Sequence, residues 1–176
     1  MKLSHSRSRR KAPALQRESA ILFTVSGIVF AIAADAIDEV RNLDGLVPCA
    51  TTSAYQRLDK VKFTLERQGS RYFVVDAGAH FGIPAAASPA TRLMVMRSIP
   101  VAVLVGGIER MHDIGAVRPL PGAFHGDERR WYRGLAILKR RAVPVVNADA
   151  FLTRAEFTLL EGKCALAPKS IAAAGA

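Results

Sequence analysis

The sequence is poor in cysteine and contains no long apolar run. Its two cysteines, Cys49 and Cys164, have no motif spacing around them, which argues against a disulfide framework and favours a reducing, cytoplasmic compartment. No stretch reaches the ~20 consecutive apolar residues that a membrane-spanning helix needs. We therefore expect no membrane insertion. Hydrophobic residues nevertheless make up 50% of the 176 residues, which is enough for a packed core.

Catalytic signatures are also missing. The chain has no G-x-S-x-G, P-loop, G-x-G-x-x-G or H-E-x-x-H motif. The pairs His112-Asp113 and His125-x-Asp127 match no familiar metal-ligand spacing. The sequence thus predicts no enzyme, no catalytic residue, no metal site and no cofactor, and His80 is interpreted as a packing residue.

The net charge of +10 is divided between an N-terminal tail and the rest of the chain. Residues 1–19 hold six lysines and arginines against one glutamate, with too little apolar surface to fold, so we expect a disordered basic tail. Such a tail either binds an anionic partner or only improves solubility. Residues 161–176 are small and of low complexity, which predicts a loose C-terminal tail.

What the sequence does contain is a repeated unit. "LFTVSGIVFAIAADAIDEV" starts at Leu22 and "LMVMRSIPVAVLVGGIERM" starts at Leu93, a shift of 71 residues without a gap. The same shift places "VVDAGAHF" on "VVNADAFL". The first stretch alone resembles a secretory signal peptide, but a signal peptide has no reason to recur later in the chain. We interpret residues 20–82 and 91–153 as two copies of one structural unit.

Each copy is typical of short β-strands bounded by glycine, proline or charge. The first copy predicts a strand pair around Gly27, a helical turn that starts at Asp35, and an edge strand that ends at Pro48. A hairpin around Gly69-Ser70 follows. The second copy repeats this order and closes on a hairpin with its tip at Lys139–Arg141.

The predicted fold is therefore mainly β. It consists of two pseudo-symmetric, five-stranded, SH3-like β-barrels with short helical turns, formed by residues 20–90 and 91–160. The second unit includes a C-terminal helix, for which "ADAFLTRAEFTLLEG" is the candidate.

Glu39 and Arg67 form the most specific candidate pair. A shift of 71 residues replaces them with Arg110 and Leu138, so both charges are absent from the second copy. Their joint loss is consistent with an ion pair that joins the turn to the hairpin, although two unrelated surface charges would give the same pattern.

The segment "DERRWYRGLAILKRR" offers an alternative function, because it mixes arginines with Trp131 and Tyr132. Cations interleaved with aromatic rings suit a nucleic-acid surface. Local neutralisation by Asp127 and Glu128 argues for an ordinary solvated surface instead. A basic β-barrel that binds nucleic acid is kept as the second hypothesis.

Taken together, these motifs resemble the CheW-like family of chemotaxis coupling proteins over residues 20–156. "FTVSGIVFAIAADAIDEV" resembles the family's opening strand pair and V-x-E-I turn, and "ERQGSRYFVVDAGAHFGI" resembles its N-L-R-G … P-V-V-D-L … L-G stretch. "VAVLVGGIERM" and "YRGLAILKRRAVPVVNADAFL" resemble its closing motifs. The resemblance implies a partner-binding set made of Glu39, Val40, Arg67, Gly69 and Asp76.

The resemblance also implies the kind of function. Members of this family are non-enzymatic adaptors in chemosensory signalling and use two β-barrels. The expected partners are a histidine kinase regulatory domain, the cytoplasmic tip of a chemoreceptor, or another CheW-like domain. A related signalling system other than chemotaxis fits the same resemblance.

Overall fold

The computed structural model describes residues 18–49, 58–84 and 89–166 and shows a mainly β protein built from two sheets. The first half contains β1 (Glu18–Val25), β2 (Ile28–Ala33), β3 (Ile37–Arg41), β4 (Leu46–Pro48), β5 (Val61–Arg67), β6 (Ser70–Asp76) and the helix α1 (Ala77–Phe81). The second half contains β7 (Arg92–Met96), β8 (Val101–Val105), β9 (Gly107–Ile114), α2 (Glu128–Trp131), β10 (Tyr132–Leu138), β11 (Arg141–Val146) and α3 (Arg154–Leu166).

The two sheets have equivalent strand orders. Sheet A runs β10-β11-β2-β1-β9, and sheet B runs β3-β7-β8-β6-β5-β4. Adding 71 to the residue numbers of β5 gives the bounds of β10. When each strand of sheet A is replaced by its equivalent in the other copy, the order becomes β5-β6-β8-β7-β3. This is the order of sheet B read from its other end, without β4. Even the parallel pairing is repeated, because Val145 faces Ala31 in one sheet and Val74 faces Ala102 in the other.

The predicted boundary near residue 90 does not separate the two sheets. Each sheet takes strands from both copies, because β2 pairs in parallel with β11 and β8 pairs in parallel with β6. The two copies are thus interlocked rather than side by side. The sequence repeat is real, but each structural unit is completed by two strands from the other half.

Three hydrophobic cores explain why the apolar runs are continuous instead of alternating. In β7, Met94 and Met96 enter the central core shared by both sheets, whereas Leu93 and Val95 enter a core enclosed by sheet B alone. Leu22 in β1 lies in the corresponding core of sheet A. Strands buried on both faces need apolar residues at every position, as parallel and interior strands do.

The helical turn predicted from Asp35 is wrong. Only Ala34–Ala36 form a short 3-10 turn, with Asp35 inside it rather than at its N-cap, and the chain then enters strand β3. The corresponding residues of the second copy likewise form β9. The five-residue pattern was too short to distinguish the helical period of 3.6 residues from the strand period of 2. Both segments form strands because β3 pairs with β7 and β9 pairs with β1 through ladder hydrogen bonds.

The N-terminal boundary differs by two residues from the predicted one. Glu18 and Ser19 belong to β1, where the Ser19 hydroxyl donates to Asp113 Oδ1 at 3.0 Å. Glu18 also forms an ion pair with Arg133. Because of these contacts with β9 and β10, the folded region includes Glu18 and Ser19. The remainder of the predicted basic tail lies outside the described residues.

The C-terminal helix starts later and ends later than predicted. Ala148–Ala150 form a 3-10 turn, and α3 starts only at Arg154. A capping box fixes this start: Glu156 N donates to Thr153 Oγ1 at 3.2 Å, and Thr153 N donates to Glu156 Oε2 at 2.7 Å. Residues 161–166, predicted to be loose, continue the helix, and residues 167–176 lie outside the described residues.

Candidate functional site

Arg67 lies at the end of β5 and binds two consecutive carboxylates of β3. Its Nη2 is 2.7 Å from Asp38 Oδ2, and its Nε is 3.1 Å from Glu39 Oε2. The pKa of Arg67 is raised, first by a hydrogen bond with Tyr72 and second by the hydrogen bond with Asp38. The predicted Glu39–Arg67 pair is therefore present, and Asp38 is a second partner that sequence reasoning missed.

A β-bulge explains how neighbouring residues reach the same guanidinium. In a regular strand Asp38 and Glu39 would point to opposite faces. The register between β3 and β7 shifts between Ile37 and Glu39, so two residues of β3 oppose one of β7. The bulge depends on how β3 pairs with β7, and the local sequence of β3 does not predict it.

The ion pairs also link two strands of sheet B that are not neighbours. Three strands separate β3 from β5 in the hydrogen-bonding order, which is about 19 Å along a flat sheet at the usual strand spacing. An ion pair of 2.7 Å across this interval requires the sheet to curl strongly, so that β3 approaches β5. In sheet A, a different ion pair links non-neighbouring strands, since Glu18 of β1 pairs with Arg133 of β10.

Val40 and Gly69 lie beside the ion pairs of Arg67. Val40 follows the two carboxylates on β3 and is 41% exposed, which is unusual for a valine on a strand. Gly69 lies at the tip of the β5–β6 hairpin with a φ of +76°, a backbone conformation that favours glycine. The structure thus brings four of the five predicted partner-binding residues to one end of sheet B.

Asp76 lies elsewhere. It ends β6, six residues away from the hairpin tip at Ser70, and a strand of that length spans about 20 Å. Its Oδ1 accepts a hydrogen bond from Ala79 N at 3.1 Å and so caps α1. The structure therefore gives this carboxylate a local role in the backbone, remote from Arg67.

A second polar cluster fixes α3 to the start of β5. Lys60 Nζ is 3.0 Å from Glu156 Oε1, and both side chains are largely buried. The same ammonium group lies 3.5 Å from His80 Nδ1. The three residues line a cleft of about 860 Å³ between α1, α2 and α3.

Burial keeps His80 neutral. Desolvation first, and the charge of Lys60 second, lower the pKa of His80 to about 3, against a smaller opposing effect of Glu156. Its ring packs against Phe81, Trp131 and Phe151 at centroid distances of 4.9–5.1 Å. The interpretation of His80 as a packing residue is confirmed by its 5% exposure.

The aromatic residues of the alternative nucleic-acid surface are partly buried and pack against the central core. Tyr132 stacks on Phe81 at 5.7 Å and on Phe30 at 6.4 Å. Trp131 packs against His80 at 5.0 Å. Rings engaged in these contacts are less available for stacking on a base, so the structure does not favour the alternative.

Comparison with known proteins agrees with the two-sheet architecture. The model of the CheW-like domain matches residues 19–156. The chain belongs to the CheW-like domain family. Among solved structures, this CheW-like chain is similar in fold to the scaffolding protein TtCheW from Thermoanaerobacter tengcongensis, with a TM-score of 0.64 at 13% sequence identity. The match covers 75% of this chain and 90% of that one.

No curated protein matches the sequence. In the part of this CheW-like chain that the structure describes, no helix is long and apolar enough to cross a membrane.

Proposed function

We propose that this CheW-like protein is a non-enzymatic adaptor in chemosensory signal transduction, which couples a receptor to a histidine kinase or a related signalling partner. Its family membership supports the adaptor role. The single structural observation that carries the proposal is the arrangement of Arg67, Asp38 and Glu39 beside the exposed Val40. We call Asp38, Glu39, Val40, Arg67 and Gly69 the β3 edge.

The β3 edge has the features of a protein-docking surface. β3 is a terminal strand of sheet B, and among the described residues no strand pairs with its outer edge, which is available for pairing with a strand of another domain. The exposed Val40 adds an apolar anchor in the middle of a charged rim. The ion pairs of Arg67 hold β3 against the hairpin and so present a rigid surface.

The partner is a folded protein domain or a helix tip. A histidine kinase regulatory domain, a chemoreceptor tip and another CheW-like domain all fit this description. Asp76 contributes indirectly in this proposal, because it caps α1 at the far end of β6. No metal and no cofactor take part in the proposed function.

The direct test is binding to the regulatory domain of the histidine kinase from the same genome, measured by titration calorimetry. Val40→Asp places a charge in the apolar centre and is expected to weaken binding at least about tenfold, the loss typical of a central contact. Arg67→Ala is expected to weaken binding while the protein stays folded, as checked by circular dichroism.

Arg133→Ala is the matched control. It breaks the Glu18–Arg133 ion pair of sheet A and leaves the β3 edge intact. We expect its affinity to stay within about threefold of the wild type. Wild-type protein that binds neither the kinase domain nor a receptor tip would contradict the adaptor proposal. Equal affinities of Val40→Asp and wild type would contradict the β3 edge as the surface.

A further inference from the structure

The β10–β11 hairpin has an unfavourable turn. Three hairpins of the structure share a two-residue turn with positive φ at both central residues, at Ser26-Gly27, Gln68-Gly69 and Lys139-Arg140. This geometry, a type I′ turn, strongly favours glycine at its second position. The first two turns have glycine there. The third has Arg140, with a φ of +68°.

The same turn concentrates positive charge. Lys139, Arg140 and Arg141 are consecutive, all exposed, and none of them forms an ion pair with a described residue. Their equivalents in the first copy are the neutral Gln68, Gly69 and Ser70. The two hairpins therefore differ at their tips, although the strands behind them have matching bounds. Like charges side by side add a repulsion to the backbone strain.

The strand leading to this tip has an open edge. In the first copy, β4 covers the outer edge of β5 over three residues, Leu46–Pro48. In the second copy, a single bridge among the described residues covers β10, where Arg118 and Leu135 exchange both backbone hydrogen bonds at 2.8 Å. Ile137 is two residues further along, so its N–H and C=O point to the same outer side. It has no ladder partner there among the described residues, and its side chain is 49% exposed.

We propose that this hairpin binds an extended acidic segment of a partner protein. The segment pairs with the outer edge of β10 at Ile137, and its carboxylates contact Lys139, Arg140 and Arg141. Charge complementarity selects an acidic occupant, and the open edge selects an extended peptide. We name Ile137 and Lys139–Arg141 the basic tip. It belongs to sheet A and is separate from the β3 edge, so the proposal goes beyond the adaptor contact described above.

The first copy provides the test variant. The substitutions Lys139→Gln, Arg140→Gly and Arg141→Ser give the β10–β11 hairpin the same turn residues as the β5–β6 hairpin. Because this variant relieves the turn, we expect its melting temperature to rise by about 2–4 °C. A loss of binding in this variant is then not a loss of folding. Arg129→Gln with Arg130→Gln is the matched control, which removes two exposed cations outside the basic tip.

Binding is measured by NMR titration with a short peptide of alternating glutamate and valine, its glutamine counterpart, and a single-stranded oligonucleotide. We expect the wild type to bind the glutamate peptide, to shift the Ile137 amide, and to lose affinity as salt is added. The tip variant should bind about tenfold more weakly, as expected for the loss of three exposed charge contacts, and the control should bind like the wild type.

Equal affinity of the wild type and the tip variant for the glutamate peptide would overturn the proposal. So would tighter binding of the oligonucleotide than of the peptide, with the same dependence on the tip, which would assign the basic tip to nucleic acid. Neither result bears on the kinase-domain titration, which tests the β3 edge separately.

Discussion

His80 and Phe151 occupy equivalent positions in the two repeats, and their rings pack against each other with centroids 5.1 Å apart. The two repeats thus contact each other through one buried imidazole and one phenyl ring. The Nε2 of His80 is buried and has no hydrogen-bond partner among the described residues. In this contact, the His80 imidazole can take up a proton, whereas the equivalent Phe151 ring cannot.

This asymmetry predicts a pH-dependent stability. The pKa of His80 is lowered from 6.5 to about 3 in the folded protein, so the unfolded chain takes up a proton at a pH where the folded chain does not. Stability falls as the pH drops from about 6.5 towards 3. We expect His80 to account for a loss of about 2 kcal/mol between pH 7 and pH 5 in urea unfolding. His80→Phe should remove this part of the pH dependence, and an unchanged slope in the variant would refute the assignment.

The Lys60–Glu156 pair is predicted to hold α3 in place. Burial acts to raise the pKa of Glu156, but hydrogen bonds from Thr153 and Lys60 outweigh it and lower the pKa. The stabilisation is present at neutral pH and is lost as the pH falls through this lowered pKa. Lys60→Met should cost about 2 kcal/mol, because it leaves a largely buried carboxylate without its cation.

A double-mutant cycle with Glu156→Gln separates the pair from the packing around it. Glu156→Gln keeps a hydrogen-bond acceptor for the Thr153 amide and removes the charge. We expect the double variant to be more stable than the sum of the single losses implies. Strict additivity would show that the two charges do not stabilise each other.

Gly134 is predicted to be sensitive to any side chain. A Cβ at this position would lie 2.1 Å from the carbonyl oxygen of Arg118, and the backbone has a φ of +155°. Gly134→Ala should therefore destabilise the protein by about 2–4 kcal/mol and displace residues 117–118 from β10. Gly122→Ala is the control, since nothing lies within 4 Å of its Cβ position. Similar melting temperatures of the two variants would rule out the close approach.

The two carboxylates that bind Arg67 are expected to compensate for each other. Asp38→Ala leaves the contact with Glu39, and Glu39→Ala leaves the contact with Asp38. Either single variant should lower the melting temperature less than half as much as the double variant, measured by scanning fluorimetry. The effect should shrink in high salt, because the pair is partly exposed. A double variant no worse than the single ones would show that the approach of β3 to β5 does not depend on the ion pairs.

The sequence alone determined the repeat, its 71-residue shift and most of the strands. The hairpins at Gly27 and Gly69 could be predicted because local turn chemistry specifies them. The Glu39–Arg67 pair was predicted from the joint absence of both charges in the second copy. The mainly β fold followed from the short apolar runs bounded by glycine, proline or charge, which are typical of strands.

Tertiary structure alone decided the rest. The exchange of β1–β2 and β7–β8 between the halves depends on pairing between segments far apart in the chain, and the local pattern is the same whichever sheet a strand joins. Ladder hydrogen bonds made β3 a strand where its sequence resembled a helical turn. The bulge that turns Asp38 towards Arg67, and the docking that joins Lys60 to Glu156, exist only once the sheets have formed, because each depends on register and packing between distant elements.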